Sequence, residues 1–366
     1  MRILMGLTYY WPNISGLTQY AVILAEELQK RNYKVTVIGG RFRKSLKSEE
    51  IINGVGVKRV AGFRLGKGFL MPLFAQASLR EVIKNEAIIC HLPAIESSFL
   101  AFWGKVLKKK IIVVHHCEFR WEGNWTNKVT SILTFLDHLV TYFLANKIVA
   151  YTKDYADSSW FLRTFRKKLV YILPPIKIEK NKKKINLGKG KVVGFVGRIG
   201  WEKGLSYLVE AMKKVRASLV LVGPYQGVAG DKTYEQIRQE LNNKTTLYGP
   251  MDHQDLKAFY QRCDCLALPS TNTLETFGIV QAEAMVCGCP VVASNLPGVR
   301  VPVQMTGMGE ICRAADSGDL AKKIRLVLKR GKTYYQKRAK NLDKFDYQKT
   351  VNEFEQILAP GDGRRQ

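Results

Sequence analysis

The chain has 366 residues, more than one ordinary domain holds, and 46% of them are hydrophobic, which excludes general disorder. The 58 Lys and Arg against 31 Asp and Glu leave a net charge of +27, so an anionic partner is expected: nucleic acid, anionic lipid head groups or a phosphorylated substrate. Seven cysteines scattered through apolar stretches exclude a disulfide framework and suit a reducing compartment.

In chain order, the opening "MRILMGLTYYW" reads as a strand and lacks the basic start and long apolar run of a secretory signal. Short apolar strands then alternate with helical patterns: "RILMGLT", "KVTVIGG", "AIICHLP", "IIVVHH", "KIVAYT" and "LVYILPP", with amphipathic runs such as "LTQYAVILAEELQKR" between them. Buried strands alternating with helices predict a parallel, doubly wound α/β sheet. Two segments mix Lys and Arg with large apolar residues, 63–84 and 97–110. The most membrane-like segment, 129–145, is 17 residues long and is interrupted by Asp137 and His138. A spanning helix needs about 20 mostly apolar residues, so a core or interfacial helix is expected there.

A polar, basic, glycine-containing stretch, 176–191, reads as a linker. A second alternation follows: "VVGFVGR", "SLVLVGP", "TTLYG", "CLALPS" and "PVVAS". The expected organisation is an N-terminal domain over 1–185, a C-terminal domain over 186–345, and a last helix with its tail over 346–366. Residues 1–185 hold 31 Lys and Arg against 13 Asp and Glu, or +18; the remainder holds 27 against 18, or +9. The pairs Cys263-x-Cys265 and Cys287-x-Cys289 lack zinc-knuckle spacing and read as buried small hydrophobes.

Two stretches carry chemistry. In "VVGFVGRIGWEKGLSYLVEAM", 192–212, a buried strand enters a loop with Gly197, Arg198, Gly200 and Lys203 before a helix opens near Gly204. Two cations beside a helix start suit an anionic ligand. Neither a G-x-G-x-x-G nor a G-K-[ST] pattern is present, and a plain strand–helix turn with surface charges would look similar. In "LETFGIVQAEAMVCGCPVVAS", 274–294, Gly278 allows close backbone approach and the next helix offers free N–H groups. Glu275 could merely complement that helix dipole. Glu283 lies among small apolar neighbours, where an acid needs a hydrogen-bond donor; a ribose diol would supply two hydroxyls.

"GRIGWEKG", the Glu-x7-Glu pair in "ETFGIVQAE" and "AMVCGCPVVAS" together closely resemble the second domain of family-4 retaining glycosyltransferases, which have the GT-B fold. "YYWPNISGLTQYAVILAEELQKRNYKVTVI", "IIVVHHCEF", "YTKDYADSS", "ILPPI" and "KFDYQKTVNEFEQIL" resemble further parts of that family, so nearly the whole chain is covered. The resemblance implies two Rossmann-like domains facing across a cleft, with the last helix crossing back to the first. It implies that Arg198 and Lys203 hold the diphosphate of a nucleotide sugar, UDP favoured and GDP possible. By the same resemblance Glu283 accepts from the ribose, Glu275 bonds the donor sugar, and the backbone at Phe277, Gly278 and Ile279 meets sugar and phosphate. Gly16 lets the first-domain loop approach the diphosphate, and His116 lies near the sugar and acceptor.

The chain departs from the family's pattern where two glycines read Ser15-Gly16, where the histidine is doubled as His115-His116, and where the linker reads "PPI". His116 is favoured over His115 because "HCE" supplies a following acid, Glu118. No D-x-D occurs, so no metal is expected, and Arg198 and Lys203 would take its place. No cofactor is expected beyond the donor substrate. The basic first domain points to a peripheral enzyme on the cytoplasmic face of the cell membrane, glycosylating a lipid-linked or cell-envelope glycan. A soluble transferase of sucrose- or glycogen-synthase type is the nearest alternative. A nucleic-acid-binding protein would share the charge but not explain Glu275 and Glu283, and a non-catalytic sugar binder would not need the full set of Arg198, Lys203, Glu275 and Glu283.

Overall fold

The structure, a computed structural model, describes all residues except 66–67, 119–124, 179–184, 225–232, 242 and 360–366. The chain divides into two α/β units, Met1–Pro175 together with Tyr347–Gln366, and Ile176–Asp346.

The first unit contains β1 (Arg2–Gly6), β2 (Lys34–Gly40), β3 (Glu49–Ile52), β4 (Val55–Val60), β5 (Phe63–Leu65), β6 (Gly68–Leu70), β7 (Ala87–Leu92), β8 (Lys110–His115), β9 (Lys147–Ala150) and β10 (Leu169–Tyr171). Eight of these form one sheet in the order β10-β9-β8-β7-β1-β2-β4-β3. All its pairs are parallel except β3 against β4. Every residue of β7 is buried, as is β8 after Lys110, which is why these strands read as unbroken apolar runs. Between strands lie α1 (Gly16–Lys30), α2 (Phe74–Lys84), α3 (Ser97–Val106), α4 (Trp125–Leu144), α5 (Lys153–Ser158) and α6 (Trp160–Thr164). Ser15, Thr152 and Ser159 cap α1, α5 and α6 through their hydroxyls.

The second unit holds β11 (Val192–Val196), β12 (Ser218–Val222), β13 (Thr245–Gly249), β14 (Cys265–Leu268), β15 (Val291–Ser294) and β16 (Gly309–Cys312). They form a parallel sheet in the order β13-β12-β11-β14-β15-β16, which is the doubly wound 3-2-1-4-5-6 order. Its helices are α7 (Leu205–Met212), α8 (Thr233–Glu240), α9 (His253–Arg262), α10 (Ile279–Val286), α11 (Val301–Thr306), α12 (Ser317–Arg330) and α13 (Lys332–Arg338). The last helix, α14 (Tyr347–Leu358), belongs to the first unit, where Arg31 donates to Asn352 at 2.6 Å and pairs with Glu355.

The second unit begins at Ile176 and not at residue 186. Ile176 bridges Asp346, and its N–H donates to Phe345 O at 3.2 Å. Residues 179–184 of the expected linker lie outside the described residues. Of the two segments that mix basic and large apolar residues, 63–84 is divided: Phe69, Met71, Phe74 and Val82 are buried, and Phe63, Leu73 and Ile83 are exposed. Segment 97–110 does present Phe99, Phe102, Val106 and Leu107 to the outside.

Candidate active site

In the second sheet β11 and β14 are neighbours, and the chain runs outward from them in opposite directions, to β12 and β13 on one side and to β15 and β16 on the other. Ligands of open α/β sheets bind beyond the carboxyl ends of the strands at such a reversal. Arg198 and Lys203 follow β11, and Glu275, Phe277, Gly278 and Ile279 follow β14. Backbone contacts lock these two segments together. Thr271 N donates to Glu202 O at 3.0 Å. Gly204 adopts φ 67°, and a Cβ there would lie 2.0 Å from Pro269 O, so only glycine lets the loops close.

That closure sets Lys203 against Glu275: its Nζ donates to Oε2 at 2.6 Å. Arg198 pairs with Glu202, whose carboxylate is buried while the Arg198 side chain is 52% exposed. Two cations and two carboxylates thus neutralise one another at the switch point. Gly278, at φ 76°, opens α10 with no side-chain cap, so the first N–H groups of that helix are not claimed by a capping oxygen. The Phe277 side chain is buried against Phe345, ring centroids 6.1 Å apart. Gln281 Nε2 donates to Phe277 O and, at 2.9 Å, to Val299 O. Over Phe277–Ile279 the backbone is therefore the polar surface on offer.

Glu283 sits in the second turn of α10 and is only 4% exposed. Tyr260 donates its hydroxyl to Oε2 at 2.7 Å, and His253 Nε2 lies 3.3 Å from Oε1. Both partners come from α9. The donors that its burial demands are thus supplied by the protein, so burial alone does not require a ribose. Burial, then the Glu283 charge, raises the Tyr260 phenol well above its ordinary range and keeps it a donor. Tyr260 and His253 were not anticipated from sequence; the signal was an acid in an apolar helix with no donor nearby in the chain.

In the first unit Gly16 is the exposed first residue of α1, beyond the end of β1. His116 is buried with both ring nitrogens engaged: Nε2 lies 3.0 Å from His91 Nδ1, and Nδ1 meets the Tyr151 hydroxyl. Tyr20 packs edge-on to it at 5.0 Å. His115 instead bonds Tyr142 and lines a pocket with Glu118, Phe135, His138 and Trp160. Burial strips these rings of charge. His91 and His115 fall to about 3 and His138 to about 4, and His116 falls well below its ordinary value, with His91 and His115 adding to the effect. The cysteines are free, and burial raises Cys289 and Cys312 to about 12. Among the described residues no cluster of three His, Cys, Asp or Glu could hold a metal ion.

Two family models match, Glycosyltransferase Family 4 over residues 14–180 and Glycosyl transferases group 1 over 177–345. An uncharacterized glycosyltransferase of Methanocaldococcus jannaschii is 28% identical over 332 residues, covering 82% of each chain. Among solved structures, Anabaena HepE in complex with UDP has a TM-score of 0.75 at 18% identity, covering 98% of this chain and 99% of that one. Sucrose-phosphate synthase from Thermosynechococcus elongatus has the same TM-score at 19% identity, covering 97% and 98%. The fold is that of these GT-B enzymes, and with the two models running almost end to end the chain belongs to the group 1, family-4 glycosyltransferases and is a glycosyltransferase.

Proposed function

We propose that the protein moves a sugar, with retention at the anomeric carbon and without a metal, from a nucleotide diphosphate sugar to a lipid-linked or cell-envelope glycan at the inner membrane surface. The observation that carries the donor half is the meeting of Arg198, Lys203, Glu275 and the uncapped start of α10 at the switch point of the second sheet. Departure of a nucleoside diphosphate develops negative charge, which two cations and a helix start stabilise in place. A carboxylate beside the sugar favours the opposite charge that develops on the ring. Glu275 is held by Lys203, which suits a hydrogen-bonding and electrostatic role rather than attack on carbon. Retention is then expected from front-face attack by the acceptor, with no covalent intermediate on the protein.

Glu283 is proposed to share its remaining lone pairs with the ribose, and the backbone of Phe277–Ile279 to meet sugar and phosphate. Gly16 and His116 are proposed contributors from the first unit. For His116 to reach a sugar, His91 or Tyr151 must release a ring nitrogen; His115 already faces a pocket. UDP is favoured over GDP, in keeping with the UDP bound to HepE. The decisive experiment is a thermal-shift screen of nucleotide diphosphate sugars, since a ligand of the folded state raises its melting temperature. UDP-sugars should raise it most; no rise with any of them sinks the donor assignment.

The sucrose-phosphate synthase likeness favours a soluble acceptor as the second reading. Labelled donor with and without lipid extract separates the two. Label in the organic phase supports the membrane acceptor, and label confined to water-soluble glycan supports the alternative.

A further inference from the structure

Helix α4 turns an apolar stripe outward and much of its polar side chain inward. Its buried residues are Thr130, Ser131, Thr134, His138, Thr141 and Tyr142, most of them polar, with Phe135, Leu139 and Leu144 partly buried against the core beside them. Its exposed residues are Lys128 and the apolar Val129, Ile132, Leu133, Leu136, Val140 and Phe143, with Leu136 52% and Phe143 70% exposed. The spacing 129, 132, 133, 136, 140, 143 is a single stripe along the helix. The inward hydroxyls are satisfied by the helix itself. Ser131 and Thr134 donate to the carbonyls four residues back at 2.6 Å each, and Thr141 does so at 2.8 Å. Asp137 points inward and caps the start of α3, accepting from Ser98 N at 2.9 Å.

The neighbouring α3 continues the apolar surface with Phe99, Phe102 and Val106, also outward and at helical spacing. Isolated exposed apolar residues are ordinary, but a contiguous surface across two helices marks a contact with something other than water. Its charge says what. Burial, then the nearby charge of Lys105 on α3, lowers the pKa of Lys168. Lys168 donates to Phe143 O at 2.6 Å and lies 5.9 Å from the Phe143 ring. Lys108 follows at the end of α3, exposed. From 97 to 116 the chain has no carboxylate, and the one on α4, Asp137, is turned away.

We propose that the outward faces of α3 and α4 are a docking surface for an anionic lipid bilayer, the apolar stripe entering the head-group boundary and the lysines meeting lipid phosphates. This deepens the membrane reading above, rests on it, and names the surface. A second copy of the chain is the poorer occupant, because pairing the two faces would bring Lys105, Lys108 and Lys168 against their counterparts. The flank of α4 that carries Phe135 and His138 lines the pocket beside His115, so a docked bilayer would lie along the helix that borders that pocket.

The test is sedimentation of the full chain with vesicles of phosphatidylcholine alone or mixed equally with phosphatidylglycerol, at low salt, for wild type, L136D/F143D and K105E/K108E. All positions are exposed, and unchanged melting temperatures verify folding. Wild type should sediment with the mixed vesicles only, and each variant should lose at least tenfold in partitioning. If wild type stays in the supernatant, the membrane reading fails with this one. If wild type sediments and both variants sediment equally well, the membrane reading stands and this surface is overturned. A dimer in light scattering that L136D/F143D converts to monomer, without lipid binding by wild type, assigns the stripe to a second copy and also overturns it. The outcome is independent of donor binding, which UDP thermal shifts read on the same samples.

Discussion

The polar centres of the two units are built on opposite electrostatic principles. In the second unit, Arg198 pairs with Glu202 and Lys203 with Glu275 at the edge of the sheet. In the first, His91, His115, His116 and His138 are buried and neutral, bonded to tyrosines, a backbone N–H and one another. The Arg198 side chain, 52% exposed, can turn from Glu202 toward an anionic ligand, because a solvated cation is weakly held by its partner. A buried neutral network has no such latitude: a proton added to it must be desolvated. The first kind of centre suits binding and leaving-group stabilisation, and the second suits a rigid wall.

Acid breaks the contrast most severely. The four histidines have folded-state pKa values below the ordinary 6.5, so below that pH the unfolded chain takes up protons that the folded first unit refuses. Stability is fully present above 6.5 and is lost as pH falls toward 3. Between pH 6.5 and 5.5 each histidine should remove about 1 kcal/mol, about 4 kcal/mol together. Melting curves at pH 7.5, 6.5 and 5.5 read this, and His91→Gln should flatten the dependence. Stability that is level across that range would mean the histidines are not buried neutral.

The next largest effect sits on the charged side. Glu275→Ala should lower transfer roughly 100- to 1000-fold, the cost of losing one preorganised electrostatic group. Because the substitution also frees Lys203 from its 2.6 Å partner, UDP affinity should hold or improve. Loss of turnover with equal loss of UDP binding would show Glu275 to be a structural support for Lys203 instead. Arg198→Ala acts in the other sense. It should weaken UDP about tenfold by calorimetry, a charge-assisted bond less the pairing to Glu202 already present, and the weakening should shrink in high salt.

Much of this was legible in the sequence, for physical reasons that differ by region. Arg198, Lys203 and Glu275 follow buried strands directly, so strand–loop–helix reading places them at the carboxyl edge of the sheet. The hairpin of β3 and β4 was missed, although Asn53-Gly54 between its strands is a hairpin signal; both residues have positive φ. Its strands are half-exposed and carry Lys58 and Arg59, so they do not read as apolar runs. The outward apolar stripe of α4 was illegible because hydropathy along a segment does not say which face turns outward. Tyr260 and His253 were illegible because they lie 23 and 30 residues before Glu283, and only the packing of α9 on α10 unites them.

That junction gives the smallest and most discriminating test. Tyr260→Phe removes one of two donors to a buried carboxylate, and Glu283 keeps His253. The loss of stability should therefore fall at the low end for an orphaned buried acceptor, about 1 kcal/mol. In a unit the size of Ile176–Asp346 that lowers its melting temperature by roughly 2–4 °C. If the ribose of a bound UDP-sugar also reaches Glu283, its hydroxyl can replace the missing phenol. The mutant should then recover part of its deficit at saturating ligand, beyond the stabilisation wild type gains. A deficit identical with and without ligand would leave Glu283 as a brace between α9 and α10 and remove it from the donor site.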